Sequence, residues 1–427
     1  MIESNHVKTN RKETSSRVQE KSDEISSKGL TKEQLLLTDL KNIAHEFIEL
    51  DKTKNQFSEI ILRNLELLDF SELINYQKYL IKESQLKTKV SSSASISGLN
   101  IVSVDGSSVI KKFMNVDFSF LKVIAVKYHF YNNHDANIEY FPDSSGFNNY
   151  SVQGNYTNQD DNAVDNKTSM EMNFLEINLL NQLIKKHDDI DLIVIDGSIV
   201  ITPINLLFSK DIEVSIKYDK LLREYQKLYQ SCKENGIILV GSIKDTRTSA
   251  LTNLLRDSIQ LLKPSRTRLS DFIDINYRSI MEYFSDLDLF NRVLKKSERS
   301  CIFNCKREID KIRDTGIKKE IPYYFPLDFY AFYLKSTIYD TPCRIEFFTD
   351  ESTNLKKASK KANLISSILL PISSLNEHYG LPIPQIEAHR RAVFRNSEIN
   401  LLFNNLLRNF SKNGLQLLEK RRNRRPF

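Results

Sequence analysis

Val102-Ser-Val-Asp-Gly-Ser107 and Ile193-Val-Ile-Asp-Gly-Ser198 share one pattern, an apolar β-branched run that ends in Asp-Gly-Ser. Such runs are typical of buried strands that stop at a turn. Asp105 and Asp196 are therefore expected at the tips of two core strands. A strand tip can hold a hard cation, because the strand fixes the carboxylate and the glycine lets a ligand approach closely. Since an ordinary Asx-turn has the same sequence, the remaining motifs have to decide between these interpretations.

The composition is that of a globular intracellular protein. Of the 427 residues, 40% are hydrophobic and 27% are charged, and the net charge of +6 favours an anionic partner. No run approaches the roughly 18 apolar residues of a membrane span, and the N-terminus has no apolar signal-peptide core. We therefore expect a cytoplasmic protein that makes no membrane contact. Its four cysteines are expected to be reduced, with Cys301 and Cys305 as a helical pair of buried thiols.

The first half of the chain is expected to hold two structured segments. Residues 1–30 are polar and charged, which is typical of disorder, whereas 31–95 have apolar residues at helical spacing and form a helical N-terminal region. Segment 96–249 is the first part of the core. It contains a polar stretch at 132–167, which we interpret as a disordered loop or a lid over a site.

The second half is expected to complete the core around an inserted segment. Residues 250–319 are charged and helical, which predicts an insertion or cap. Residues 320–410 form the second part of the core, with an aromatic β-hairpin and two helices. The last segment, 411–427, is a basic tail, and both a solvated end and a phosphate-binding arm remain open for it.

One glutamate lies where a carboxylate is costly to bury. A helix is predicted to begin at Thr168, because Thr168-Ser-Met-Glu171 has the pattern of a capping box. Glu176 follows Met172 at helical spacing and points from the apolar face. A carboxylate on such a face has to be paired, protonated or bound to a metal. Glu176 is therefore favoured over Glu171 for chemistry, although the choice between the two stays open.

The last informative motif is a proline-initiated helix that carries a histidine. In Leu381-Pro-Ile-Pro-Gln-Ile-Glu-Ala-His389, the prolines predict a helix start, and His389 shares a face with Ile386. A lone histidine on an apolar face is usually a satisfied core residue. Three arginines follow it, and guanidinium groups beside a candidate metal site suit a phosphodiester and hence DNA; they are Arg390, Arg391 and Arg395.

The order of these elements suits an α/β fold with a ribonuclease-H-like core and a mixed sheet. It runs strand, strand, a helix that carries a carboxylate, a strand that ends in aspartate, and a late helix with one more ligand. In such sites acidic side chains hold one or two divalent ions, which activate water and stabilise the leaving oxygen of a phosphodiester. Oxygen ligands suit Mg²⁺ and Mn²⁺, and a histidine ligand favours Mn²⁺.

The chain resembles the NurA family of archaeal and bacterial nucleases that resect DNA ends. The resemblance spans from about residue 96 to about residue 405 and is fairly specific in the combination of its motifs. These are Val104-Asp-Gly-Ser, the helix with Glu176, Leu192-Ile-Val-Ile-Asp-Gly-Ser, Val240-Gly-Ser-Ile-Lys244, Arg344-Ile-Glu346 and Leu381 to His389.

The resemblance implies a site and a set of partners. Asp105, Glu176 and Asp196 would be the acidic metal ligands, and His389 would be a late ligand or a proton-transfer group. Lys244 would hold the scissile phosphate. The family implies Mn²⁺ or Mg²⁺ as cofactor, a homodimer, a hexameric HerA-type ATPase as partner, and 5′-to-3′ exonuclease and single-strand endonuclease activity on DNA.

One departure from the family pattern keeps other functions open. The family has a tyrosine eight residues before its histidine, where this chain has Leu381; Tyr379 lies two positions earlier and could replace it. A non-catalytic DNA-binding subunit that regulates the translocase would tolerate this change. An actin-like ATPase or sugar kinase shares the core, but 11 glycines and no G-x-G-x-x-G pattern argue against it.

Overall fold

The computed structural model describes residues 32–74, 80–91, 96–131, 136–143, 149–155, 161–201, 212–262, 276–305, 329–349, 355–415 and 417–418. Within these ranges no helix combines the length and the apolar character needed to cross a bilayer. The predicted tail at 1–30 and most of the basic tail at 411–427 lie outside the described residues.

The chain alternates between helices and strands. The helices are α1 Lys32–Arg63, α2 Ser71–Ile74, α3 Asp161–Lys186, α4 Ile212–Glu234, α5 Ala250–Leu261, α6 Tyr277–Glu282, α7 Asp286–Val293, α8 Leu355–Ser373, α9 Ile383–Ala392 and α10 Asn396–Lys412. The strands are β1 Lys87–Lys89, β2 Asn100–Lys112, β3 Asp117–Phe130, β4 Ala136–Phe141, β5 Tyr150–Asn155, β6 Leu192–Asp196, β7 Ile238–Ile243, β8 Glu298–Ser300, β9 Phe303–Asn304, β10 Phe329–Lys335 and β11 Cys343–Phe348.

Five neighbouring strands form the expected core. They lie in the order β4-β3-β2-β6-β7; β4, β3 and β2 are antiparallel, and β2, β6 and β7 are parallel. Helix α3 connects β5 to β6, and α4 connects β6 to β7, so each parallel connection contains a helix. This mixed order and direction is that of a ribonuclease-H-like core, and the predicted fold class is confirmed.

The sheet continues beyond β7 through the predicted aromatic hairpin. Strands β10 and β11 pair antiparallel, and β11 pairs antiparallel with β7. The edge then adds β8 and β1, with β9 beside β10. All seven residues of β10 are buried, which explains why its apolar side chains do not alternate with polar ones.

The two faces of the sheet are covered by different helices, and strand periodicity decides which side chains meet them. On one face Ile101, Val126 and Val194 belong to a core cluster with residues of α8 and α9, among them Ile365 and Ala388. On the other face α3 packs against β2, β3 and α4. Because successive side chains alternate, Asp105 shares the face of α9, whereas Gly106 faces α3.

The chain divides into two compact units, residues 1–60 and 61–427. The described part of the first unit, 32–60, consists of helical residues of α1. Its exposed apolar side chains recur four and three residues apart along one stripe, Leu36, Leu40, Ile43 and Phe47. The predicted helical region 31–95 is thus helical in α1 and α2, but it ends in the short strand β1, which joins the sheet edge.

The prediction of a loop at 132–167 is wrong for the residues of this segment that the structure describes. Strands β4 and β5 lie within it, and both pair with β3. The reason is that β3 is 14 residues long and needs partners for its outer backbone groups. Helix α3 also begins at Asp161 rather than at Thr168. Thr168 is no cap, because its buried hydroxyl hydrogen-bonds with Ser119 on β3 at 2.7 Å.

The expectation of a helical insertion at 250–319 is only partly correct. Helices α5, α6 and α7 lie there, but β8 and β9 follow them and pair with β10. The predicted helical pair Cys301 and Cys305 is wrong for the same reason, since each cysteine directly follows one of these strands. All four cysteines are buried free thiols. Short strands of this kind depend on distant partners and not on local sequence.

Candidate metal centre

Asp105 and Asp196 lie side by side on parallel neighbouring strands. Val104 of β2 is in register with Ile195 of β6, so the next residue of each strand is an aspartate. Both side chains are largely buried. Together with His389 they offer one ligand atom each, and these atoms all lie within 4.8 Å of one another. Three of the four predicted metal ligands thus meet in one place.

His389 reaches the aspartates from α9, which packs on β2 and β3. The helix begins at Ile383 directly after Pro382, and Pro384 occupies its first turn, as the sequence predicts. Ala388 is fully buried against the sheet, which brings the next residue over β2. The Nδ1 atom of His389 lies 2.8 Å from Oδ2 of Asp105, and the ring remains half exposed. A half-exposed imidazole beside a carboxylate can bind a metal or a substrate.

Glu176 approaches the aspartates from α3, on the opposite face of the sheet. Its carboxylate lies directly over Gly106, because a Cβ atom at Gly106 would be only 2.6 Å from Oε1 of Glu176 and 2.7 Å from Cγ of Met172. The missing side chain of Gly106 therefore makes room for this carboxylate. Glu171 instead pairs with Lys217 between α3 and α4. Of the two glutamates, only Glu176 contacts the aspartate-bearing part of β2.

The electrostatics of the cluster favour a bound cation. Burial raises the pKa of Asp105, and the charge of Asp196 raises it further, although His389 acts in the opposite direction. Burial, together with Asp105 and Asp196, also raises the pKa of Glu176 well above its usual value. Carboxyl groups that are buried next to each other repel one another as anions. A divalent ion would relieve this repulsion and favour their ionised forms.

Lys244 directly follows the end of β7, next to the end of β6 that carries Asp196. Its Nζ donates to Oδ2 of Asp196 at 2.9 Å. Burial lowers the pKa of Lys244, but the hydrogen bond and charge of Asp196 outweigh this effect and raise it overall, with Tyr379 and Asp105 contributing. Lys244 is therefore a cation of the cluster. Tyr379 is exposed, whereas Leu381, at the family's tyrosine position, is buried.

Glu346 fixes the turn that follows Asp196, a role that sequence reasoning missed. Its buried carboxylate accepts hydrogen bonds from the Ser198 hydroxyl at 2.6 Å and the Ile199 backbone N–H at 3.2 Å. It also pairs with Arg344 at 2.8 Å. The turn itself requires Gly197, whose φ is +121°. The signals in the sequence were the Arg344-Ile-Glu346 motif of the resemblance and the presence of an acidic residue within the buried strand Cys343–Phe348, where an unpaired charge is costly.

The three predicted DNA-binding arginines lie on or beside α9. Arg390 and Arg391 both pair with Glu387 at 2.8 Å, and Arg391 lies over the ring of Tyr140. Arg390 remains largely exposed. Arg395 is exposed just before α10. They are therefore held on the same helix region as His389, but two of them have an internal acidic partner.

The residues of the cluster fit a divalent metal ion. Two carboxylates and one imidazole converge, and a third carboxyl group lies against the adjacent glycine. Carboxylate oxygens suit Mg²⁺ and Mn²⁺, and the imidazole nitrogen favours Mn²⁺. Asp105, Asp196 and His389 would contact such an ion, with Glu176 beside them.

Comparisons with known proteins give one family. The model of the NurA domain matches residues 99–394, which include the whole cluster. Among solved structures, the NurA nuclease from Sulfolobus solfataricus is 16% identical with a TM-score of 0.47, over 82% of this chain and 96% of that chain. A NurA structure bound to dAMP and manganese is 15% identical with a TM-score of 0.37, over 88% and 98%. A search of curated proteins found no match.

Proposed function

Because this chain belongs to the NurA family, we propose that it is a metal-dependent nuclease that hydrolyses phosphodiester bonds of DNA. The observation that carries the proposal is the convergence of Asp105, Asp196 and His389 at the carboxyl end of β6 in a ribonuclease-H-like sheet. Proteins of this family have been solved with manganese and with a nucleotide, dAMP. Both would suit the acidic cluster and the cations around it.

Asp105, Asp196 and His389 would hold the ion, and Glu176 would complete the acidic set. The ion would lower the pKa of a bound water and stabilise charge on the scissile phosphate. His389 is oriented by its contact with Asp105, so it would either bind the ion or transfer a proton. Lys244 would bind a phosphate oxygen, since its partly buried side chain already places an ammonium group beside Asp196.

Three arginines would guide the DNA backbone toward the candidate metal centre. Arg390 and Arg395 expose their side chains next to the helix that carries His389. Glu387 holds Arg390 and Arg391 in place, which lowers the entropy that they lose when they bind a phosphate. We expect DNA binding to weaken steeply as the salt concentration rises, because phosphate contacts release counterions.

The remaining proposals follow from family membership. The activity would be a 5′-to-3′ exonuclease and a single-strand endonuclease in DNA end resection, with Mn²⁺ preferred over Mg²⁺. The chain would act as a homodimer in the cytoplasm and would work with a hexameric HerA-type ATPase. Tyr379 would replace the family tyrosine, since it lies near Lys244, whereas Leu381 is buried.

The decisive experiment is degradation of end-labelled single- and double-stranded DNA with Mn²⁺. The wild type should degrade both, and Asp105→Ala should lower the rate at least about 100-fold, because a ligand of the ion is lost. Asp188→Ala is the control, since Asp188 is exposed just before the start of β6, at the opposite end of that strand from Asp196. Equal degradation by wild type and Asp105→Ala would contradict the proposal.

Two other outcomes would identify the alternatives. The buried Leu381 favours a non-catalytic subunit as the second candidate, and tight DNA binding without cleavage by the wild type would support it. Turnover of ATP by the purified chain without DNA or partner would instead indicate an actin-like ATPase.

A further inference from the structure

An exposed pair of aromatic rings has no part in the metal centre described above. Tyr339 and His378 stack with their ring centroids 4.9 Å apart and their planes 15° from parallel. Tyr339 is 69% exposed although it is a large aromatic residue. Leu375 and Ile338, which are close to them in sequence, are exposed as well. An exposed apolar patch of this kind is typical of a binding site.

The strand register places this pair at the same end of the strands as the candidate metal centre. Arg344 near the start of β11 lies opposite Ile243 at the end of β7. The loop between β10 and β11, which carries Tyr339, therefore ends beside Lys244. Strands β6, β7 and β11 are adjacent, so this loop lies about two strand spacings, or roughly 10 Å, to the side of Asp196. That distance corresponds to about three nucleotides, at the roughly 3.4 Å per nucleotide of a stacked strand.

Two loops hold the rings in this position before any ligand binds. The Tyr339 backbone N–H donates to the Glu377 carbonyl at 3.3 Å, and the Gly380 N–H donates to Asp340 Oδ2 at 2.7 Å. Glu377 also accepts from the Ile338 N–H and pairs with Lys296. The next residue after His378 is Tyr379, which contributes to the electrostatic environment of Lys244. The aromatic pair is thus linked to the metal centre through one short segment.

We propose that Tyr339 and His378 form a stacking platform for an unpaired base of the DNA strand that enters the metal centre. The inference rests on the proposed nuclease function and adds a subsite to it. Two rings that already stack extend their π surface to a third flat ring at little entropic cost. A base near a cleavage site is such a ring, and stacking tolerates any sequence because every base has a π face.

The test uses single-stranded oligonucleotides in which one abasic nucleotide is moved along the chain one position at a time. With the wild type and Mn²⁺, one abasic position near the cleaved bond should raise KM roughly tenfold, because one stacked base is lost, while kcat stays within about twofold. Tyr339→Ala should raise KM by a similar factor on the intact oligonucleotide, and the abasic position should then have no further effect. Tyr339→Phe should behave like the wild type.

Tyr131→Ala is the matched control. Tyr131 is also exposed and also contacts a histidine, His129, at 4.4 Å. It follows β3 at the opposite end of the strands, since His129 is in register with Asn100 at the start of β2. This variant should keep the KM and the abasic response of the wild type.

Binding of the same oligonucleotides without metal is measured by fluorescence anisotropy. This measurement separates the stacking platform from the nuclease function, because binding does not require cleavage. Absence of cleavage together with a normal abasic effect on binding would refute the nuclease function and support the platform. An abasic response that is the same in Tyr339→Ala and in the wild type would refute the platform. So would a change of oligomeric mass in Tyr339→Ala with unchanged DNA binding, because the patch would then contact a second copy.

Discussion

Gly106 allows side chains from two faces of the sheet to approach the same part of β2. Asp105 faces α9 and His389, whereas Glu176 belongs to α3 on the other face. A side chain at position 106 would fill the space that the Glu176 carboxylate occupies. The second glycine of the repeated motif, Gly197, has a different role, because it adopts a positive φ in the turn. The glycines of the two Asp-Gly-Ser motifs thus have different structural roles: Gly106 leaves room for a neighbouring carboxylate, and Gly197 adopts the backbone conformation of the turn.

Gly106→Ala should therefore impair the metal centre. The new Cβ would lie 2.6 Å from Oε1 of Glu176 and 2.7 Å from Cγ of Met172, so the α3 side chains have to move. We expect Mn²⁺ affinity, measured by isothermal titration calorimetry, to fall at least about tenfold, and overpacking to cost about 1–3 kcal/mol of stability. Ser108→Ala, at an exposed position of the same strand, is the control. Unchanged metal affinity in Gly106→Ala would show that Glu176 does not contribute.

A substitution at Ser198 tests whether the turn after Asp196, which is hydrogen-bonded to Glu346, matters for activity without breaking the Glu346–Arg344 ion pair. Ser198→Ala removes the hydrogen bond to the Glu346 carboxylate and the one that the hydroxyl accepts from the Val200 N–H at 3.1 Å, but it leaves the ion pair of Glu346 with Arg344 intact. We expect the free energy of unfolding, measured by urea denaturation, to fall by about 1–2 kcal/mol. Nuclease activity should fall at least about fivefold, because Asp196 precedes the loosened turn. Equal activity in Ser198→Ala and the wild type would mean that the remaining contacts of Glu346 suffice.

Among the helices and strands, the sequence predicts those that have a strong local pattern of residues. The strand that ends at Asp196, the β10–β11 hairpin and the proline-initiated α9 all have strong local patterns, and the structure contains them. The expected strand end at Asp105 is wrong, because β2 continues to Lys112 in unbroken pairing with β3. Strands β4 and β5 are embedded in a polar stretch, and β8 is three residues long. Strand β4 pairs with β3, which directly precedes it, whereas β5 and β8 depend on parts of β3 and β10 that lie farther away in sequence. The approach of Glu176 could be predicted from helical spacing, but the support from Glu346 depends on strand register.

The start of α10 depends on one carboxylate that connects three elements. Glu398 accepts hydrogen bonds from Lys122 of β3, from Tyr150 of β5 and from the Arg395 backbone N–H. Burial raises the pKa of Glu398, but these donors outweigh it and lower the pKa overall. Since Lys122 is buried, loss of the carboxylate would leave its ammonium without this counter-charge. The ion pair should therefore stabilise the fold.

Glu398→Gln should lower the free energy of unfolding by about 1–2 kcal/mol at pH 7. Because the folded-state pKa of Glu398 is depressed, its ionised form stabilises the wild type above the unfolded pKa of about 4.3. That contribution is lost as the pH falls through the folded-state value, so the two proteins should converge in acid. Urea denaturation from pH 7 to pH 3 measures the difference. Glu282→Gln, in an exposed pair with Arg256, should have almost no effect at any pH.

At the scale of the whole molecule, the net charge of +6 says little about where DNA would bind. The local arrangement says more, because the acidic cluster lies beside Lys244 and beside α9, the helix that carries His389, Arg390 and Arg391. Negative charge is thus concentrated where an ion would bind, and positive charge lies next to it. Such an arrangement would concentrate a polyanion near the ion without a high overall charge.

Helix α1 carries an apolar stripe that the described part of the chain leaves exposed. Leu36, Leu40, Ile43 and Phe47 form an exposed stripe with the spacing of a coiled coil, which suits the proposed homodimer. Ile43→Asp should therefore weaken self-association at least about tenfold, because a charge would be buried between the helices. Multi-angle light scattering over a concentration series measures the effect. Lys41→Asp places the same residue off the stripe and should leave the mass unchanged; equal masses for both variants would contradict pairing through α1.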